Sequence, residues 1–113
     1  MARRRYVPDR GDIVWLNFTP QAGHEQAGHR PALVLSPAKY NAASGLMLCC
    51  SMTTQVKGYP FEVPADAPGG QSGVVLADQV KSMDWKARRA QHKGRAANAT
   101  VAEVLAKVQA LLR

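Results

Sequence analysis

The residues best equipped for chemistry fall in one short stretch, TPQAGHEQAGHRP, residues 19 to 31, where His24, Glu25, Gln26, His29 and Arg30 stand among two glycines, Gly23 and Gly28. Imidazoles and a carboxylate can move protons, and a guanidinium offers a planar, permanently charged fork that suits phosphate. His24, Glu25 and His29 lack HExxH spacing and have no third strong ligand nearby, so zinc is disfavoured. Cys49 and Cys50 are adjacent inside an apolar run, which makes them core residues rather than nucleophiles, a disulfide or a metal site. Neither GxxxxGK[ST] nor GxGxxG occurs, so no nucleotide cofactor is expected. What remains is metal-free chemistry on RNA, which carries its own nucleophile in the 2′-OH. A protein cutting it must take that proton, stabilise the phosphoryl oxygens and protonate the leaving 5′-oxygen. Arg30 suits the second task, Thr53 or Thr54 can add a neutral donor, and Glu25 or His29 can carry the proton.

The elements that must position these residues are short. GDIVWLNF (11–18) reads as a strand buried on both faces, and PALVLS (31–36) as a second, opened by Pro31 because proline cannot donate to a ladder. GLMLCCSMTT (45–54), YPFEV (59–63) and GVVLA (73–77) read as three more, and residues 85–92 as a basic sixth. The loop at 19–31 is longer than the roughly 2–5 residues a hairpin needs, and long loops on rigid scaffolds are disproportionately functional, although a polar loop that binds nothing has the same composition. Val101, Val104, Leu105, Val108, Leu111 and Leu112 line one stripe of an α-helix, with Thr100 and Glu103 spaced as a capping box. Residues 38–44 suit a short turn of helix. The expectation is a mainly β fold, a small antiparallel barrel with a C-terminal helix packed on it.

At 113 residues this is one domain, 1–113, with ordinary globular composition: 46% hydrophobic and 20% charged residues. The chain has no apolar run of about 18 residues and no apolar region behind its basic N-terminus, so a cytoplasmic protein is expected, with no membrane partner. The formal charge is +7, and residues 81–95 hold six basic side chains against one acid, Asp84. That excess suits a polyanion, although a solvated basic face would look the same. Trp15 and Trp85 read as structural aromatics, and Asp9 and Asp12 as turn caps.

The blocks YVPDRGDIVW, GHEQAGHRPALVLSP, TTQVKGYPFEV and GVVLADQVKSMDWKAR, ordered and spaced over nearly the whole chain, closely resemble the MazF branch of the MazF/PemK toxins. The resemblance implies an SH3-like barrel with a C-terminal helix, a homodimer and a sequence-specific endoribonuclease acting on single-stranded RNA without metal or cofactor. It also implies 2′,3′-cyclic phosphate and 5′-OH ends, and neutralisation by a MazE-like antitoxin. The family's GxRP arginine falls on Arg30 and its TTQ threonine on Thr53; the glutamate of HEQ falls on Glu25, with His29 beside the arginine. Gln26, Gln55, Lys57, Gln79, Lys81 and Arg88 stand in family blocks as RNA contacts. Leu76 replaces the arginine that the plasmid Kid branch uses with the acid matching Asp78, and Ser51 replaces a proline of close relatives. The alternative class is a gyrase-poisoning toxin like CcdB on the same barrel; a silent RNA-binding barrel is a third.

Overall fold

The computed structural model describes residues 6–19 and 28–113. The β-branched and aromatic run after Gly11 forms β1 (Asp12–Asn17), followed by β2 (His29–Val34), α1 (Ala38–Ser44), β3 (Leu46–Thr53), β4 (Glu62–Asp66), β5 (Ser72–Asp84), β6 (Gln91–Arg95) and α2 (Asn98–Leu111). The strands form one antiparallel sheet in the order β4-β5-β3-β2-β1-β6, curled into a half-barrel with α2 packed against β4 and β5. Among the described residues no helix is long and apolar enough to cross a membrane.

Both faces of the central strands are buried, so alternate residues enter different cores. Ile13, Leu33, Cys50, Met52 and Val75 pack with Val101 and Val104 of α2, whereas Val14, Leu16, Val34, Cys49 and Met83 pack with Trp85. The adjacent cysteines therefore point apart, as strand geometry requires, and burial pushes both thiols up to about 12. Trp85 is structural, its indole N–H donating to the Asn41 carbonyl at 2.9 Å.

Several boundaries differ from the sequence reading for definable reasons. Pro31 lies inside β2, opposite Trp15, but the ladder to β3 begins only at Ala32, so its missing N–H falls where that ladder ends. Pro64 likewise sits within β4, tolerated because β4 is a sheet edge. β5 continues well past Ala77 to Asp84, since its polar second half needs only one buried face. The basic segment expected as a strand instead turns at residues 85–89, with Arg89 at φ +55°, before β6. Helix α2 starts at Asn98 with Ala97 as its cap and no side-chain capping bond, so Thr100 lies inside the helix and no capping box forms.

Asp12 does more than cap a turn. Its buried carboxylate accepts from Tyr6 Oη at 2.6 Å, from the Asp9 N–H at 3.0 Å and from Arg95 Nη1 at 2.6 Å. Charge-assisted bonds of this kind are the stronger class, and here they tie the N-terminal segment and β6 onto β1.

Candidate active site

Arg30 occupies the second position of β2 and Thr53 the last of β3. The β2/β3 register pairs Ala32 with Ser51, so its continuation sets Arg30 across from Thr53. The two share a cavity of about 230 Å³ with Trp15, His29, Thr54 and Gln71. Thr53 is buried and its Oγ1 accepts the Gln55 N–H at 3.1 Å. That bond occupies a lone pair and leaves the hydroxyl proton for an acceptor in the cavity. A fixed hydroxyl donor beside a half-buried guanidinium is a pairing suited to phosphoryl oxygen.

The backbone holds this pair in place. Gly73 lies against the end of β3, where a Cβ would come within 2.7 Å of the Thr53 carbonyl oxygen, so no other residue fits without moving Thr53. Gly28 enters β2 at φ +75°, a conformation strained for any residue with a side chain. Its carbonyl accepts the Phe18 N–H at 2.9 Å, closing the neck between β1 and β2. Beside that neck, Asn17 Oδ1 accepts from the backbone N–H and the hydroxyl of Thr19, and Arg88 Nη1 donates to the Asn17 and Thr19 carbonyls, both at 2.8 Å.

Two further cavities adjoin the first. His29 also lines one of about 500 Å³ with Arg88 and Arg89, and Thr53 also lines one of about 240 Å³ with Gln55, Lys57, Asp78 and Gln79. The Arg30 cavity thus has basic or amide side chains on both flanks. In the smaller one Tyr59 Oη donates to Asp78 Oδ1 at 3.1 Å, and partial burial with that bond pushes the phenol up to about 12. Glu62 accepts the N–H groups of Lys57 and Gly58 at 3.0 and 2.7 Å and so shapes the loop rather than the chemistry.

The structure brings Arg30, Thr53 and His29 together and sets Gln55, Lys57 and Gln79 next to them. Lys81 stands farther along β5, opposite Cys49. Arg88 is partly committed to backbone carbonyls, and Glu25 and Gln26 lie outside the described residues. Leu76, where the Kid arrangement needs an arginine, is buried, and Asp78 lines the neighbouring cavity. Among the described residues no group of three His, Cys, Asp or Glu side chains is arranged to hold a metal ion. Sequence reading missed Trp15 as a cavity residue and Gly73 as the support of Thr53; only the cross-strand register reveals either.

Comparison with known proteins follows the same lines. A family model described as the PemK-like, MazF-like toxin of type II toxin–antitoxin systems matches residues 9–112. The Escherichia coli K12 protein named endoribonuclease toxin MazF is 53% identical over 108 residues, covering 96% of each chain. A crystal structure of MazF from Deinococcus radiodurans superposes with a TM-score of 0.90 at 59% identity, covering 96% of this chain and 98% of that one. A MazE–MazF complex from the same organism gives 0.82 at 52% identity, covering 96% and 97%.

Proposed function

This chain belongs to the PemK-like, MazF-like toxins of type II toxin–antitoxin systems, and from that premise we propose that it is an endoribonuclease that cuts single-stranded messenger RNA at specific sequences without a metal ion. The observation that carries the chemistry is the pairing of Arg30 with the Thr53 hydroxyl in one cavity. The substrate's 2′-oxygen attacks the adjacent phosphorus while the P–O5′ bond breaks, leaving a 2′,3′-cyclic phosphate and a 5′-OH. Arg30 and Thr53 stabilise the charge that builds on the non-bridging oxygens. One proton leaves the 2′-OH and one arrives at the 5′-oxygen; Glu25 and His29 are the carriers we assign. Gln26, Gln55, Lys57, Gln79, Lys81 and Arg88 contact the RNA on either side of the cut.

The working form is a homodimer in the cytoplasm, held in check by a MazE-like antitoxin. Tyr40 and Leu48 expose apolar surface beside Leu105 and Val108 of α2, which supports pairing with a second copy. The Deinococcus complex of the related MazF with MazE supports the antitoxin.

Pure protein incubated with a long RNA in EDTA tests the reading. Fragments with cyclic phosphate ends are expected, as is loss of cutting when the 2′-OH at the cleaved nucleotide is replaced by hydrogen. Activity that disappears with chelation and returns with magnesium overturns the metal-free mechanism. Efficient cutting of the deoxy site overturns the internal nucleophile.

A further inference from the structure

The two tryptophans are used in opposite ways. Trp85 is buried with its N–H satisfied, whereas Trp15 is half-buried, lines the cavity that holds Arg30 and Thr53, and donates to no described group. Its neighbour is the exposed His29 ring, stacked at 17° with centroids 6.1 Å apart. Register explains the pairing: Trp15 lies opposite Pro31 and Asn17 opposite His29, so Trp15 and His29 are diagonal neighbours across the strands. An offset, near-parallel pair overlaps only in part and leaves open ring surface on each partner.

We propose that Trp15 and His29 form a stacking shelf for one unpaired nucleobase next to the scissile phosphate. The proposal rests on the ribonuclease reading above and adds a binding site to it. Single-stranded nucleic acids are held by a basic track along the backbone combined with aromatic faces on which bases stack. Arg88 and Arg89 of the larger flanking cavity, beside Asp84, and Lys57 of the smaller, beside Glu62 and Asp78, supply the cations of the track. The shelf is the aromatic surface that shares a cavity with Arg30, so a base seated there orients the phosphate beside it. An indole face accepts any base, so the shelf contributes affinity and positioning, and base identity is read elsewhere.

The test uses single-stranded RNAs carrying the mapped cleavage site with a 2′-deoxy cleaved nucleotide, in which each nucleotide flanking the cut is made abasic in turn. Binding of intact RNA is expected to quench tryptophan emission of the parental protein, and Trp15→Phe, which retains only Trp85, is expected to lose that response while binding nearly as well. One abasic position is expected to weaken binding to the parental protein by roughly 5- to 150-fold, the range for loss of one stacked base. Trp15→Leu is expected to bind the intact and that abasic RNA equally. No abasic penalty at any flanking position, or a penalty that survives in Trp15→Leu, overturns the shelf. Should Trp15→Leu fail to fold, the abasic scan and quenching on the parental protein still decide. Cutting of the all-ribose RNA by the parental protein is measured alongside. Its absence overturns the ribonuclease reading and the shelf together, whereas cutting that is accompanied by no abasic binding penalty overturns the shelf alone.

Discussion

Arg30 separates binding from chemistry. If it stabilises charge that builds only as the 2′-oxygen attacks, its loss must show in the rate at saturating RNA. Removing one preorganised donor of this kind costs roughly 10²–10³ in rate, about 2.7–4 kcal/mol. Arg30→Ala is therefore expected to lose most single-turnover cleavage while still binding a 2′-deoxy analogue. Arg30→Lys keeps the charge but not the fork and is expected to stay impaired. Thr53→Val, nearly isosteric but losing a neutral rather than a charged donor, is expected to show a smaller loss of the same kind, and the Gln55 N–H loses its acceptor as well. A parental rate for Arg30→Ala at saturation would make Arg30 a binding residue and move the chemistry to Glu25, His29 or Asp78. Ser51 supplies a residue-scale prediction of a different sort. Its hydroxyl is buried with no partner among the described residues, beside the register shift between Cys50 and Met52. An unsatisfied buried polar group costs about 1–3 kcal/mol. Ser51→Ala is expected to raise the melting temperature; a fall would show that the hydroxyl is bonded after all.

The strand ends, more than any single side chain, decide where the site stands. With a Cβ at position 73 only 2.7 Å from the Thr53 carbonyl oxygen, Gly73→Ala must shift the end of β3. Overpacking of this kind costs about 1–3 kcal/mol. Both melting temperature and single-turnover cleavage are expected to fall, the second by more than instability explains at a temperature where the variant stays folded. Unchanged cleavage would mean that the catalytic role of Thr53 does not depend on this contact. The turn between β5 and β6 separates two arginines that look alike in sequence. Arg89 is exposed, so Arg89→Glu is expected to flatten the salt dependence of RNA binding by about one phosphate contact, a slope change of about 0.7, without a change in melting temperature. Arg88→Glu is expected to lower the melting temperature as well, since the Asn17 and Thr19 carbonyls lose their donor. Equal melting temperatures for the two variants would remove Arg88 from its structural role.

At the scale of the molecule, stability is expected to fail on the alkaline side. Burial, the bond to Asp12 and that carboxylate's charge raise the Tyr6 phenol above its ordinary 10.0, and burial raises both thiols from 9.0 to about 12. The folded chain therefore keeps protons that the unfolded chain releases above pH 9 to 10. Stability from these groups is present in full below that range and falls as pH rises through it, because the unfolded state then binds fewer protons. Urea midpoints under reducing conditions are expected to lose nothing to these three groups up to pH 9 and to decline from there towards pH 12. The decline above pH 10 should be shallower in Tyr6→Phe, and an identical slope would remove the phenol from the account.

Sequence alone was enough for the fold class and for naming Arg30 and Thr53 as candidates, which the structure places in one cavity. Alternating apolar runs broken by Gly and Pro specify short strands locally, the 3.6-residue stripe from Val101 specifies a helix, and the GHRP and TTQ blocks are contiguous in the chain. Strand ends were less legible, because Pro31, Pro64 and the polar half of β5 are permitted or forbidden by which neighbour lies on each side, not by their own propensities. The stacking of His29 on Trp15, the support of Thr53 by Gly73 and the commitment of Arg88 to the neck of β1 join residues far apart in the chain. Such contacts are decided by sheet order and register, and register is set when the two buried faces pack, so only the tertiary structure could reveal them.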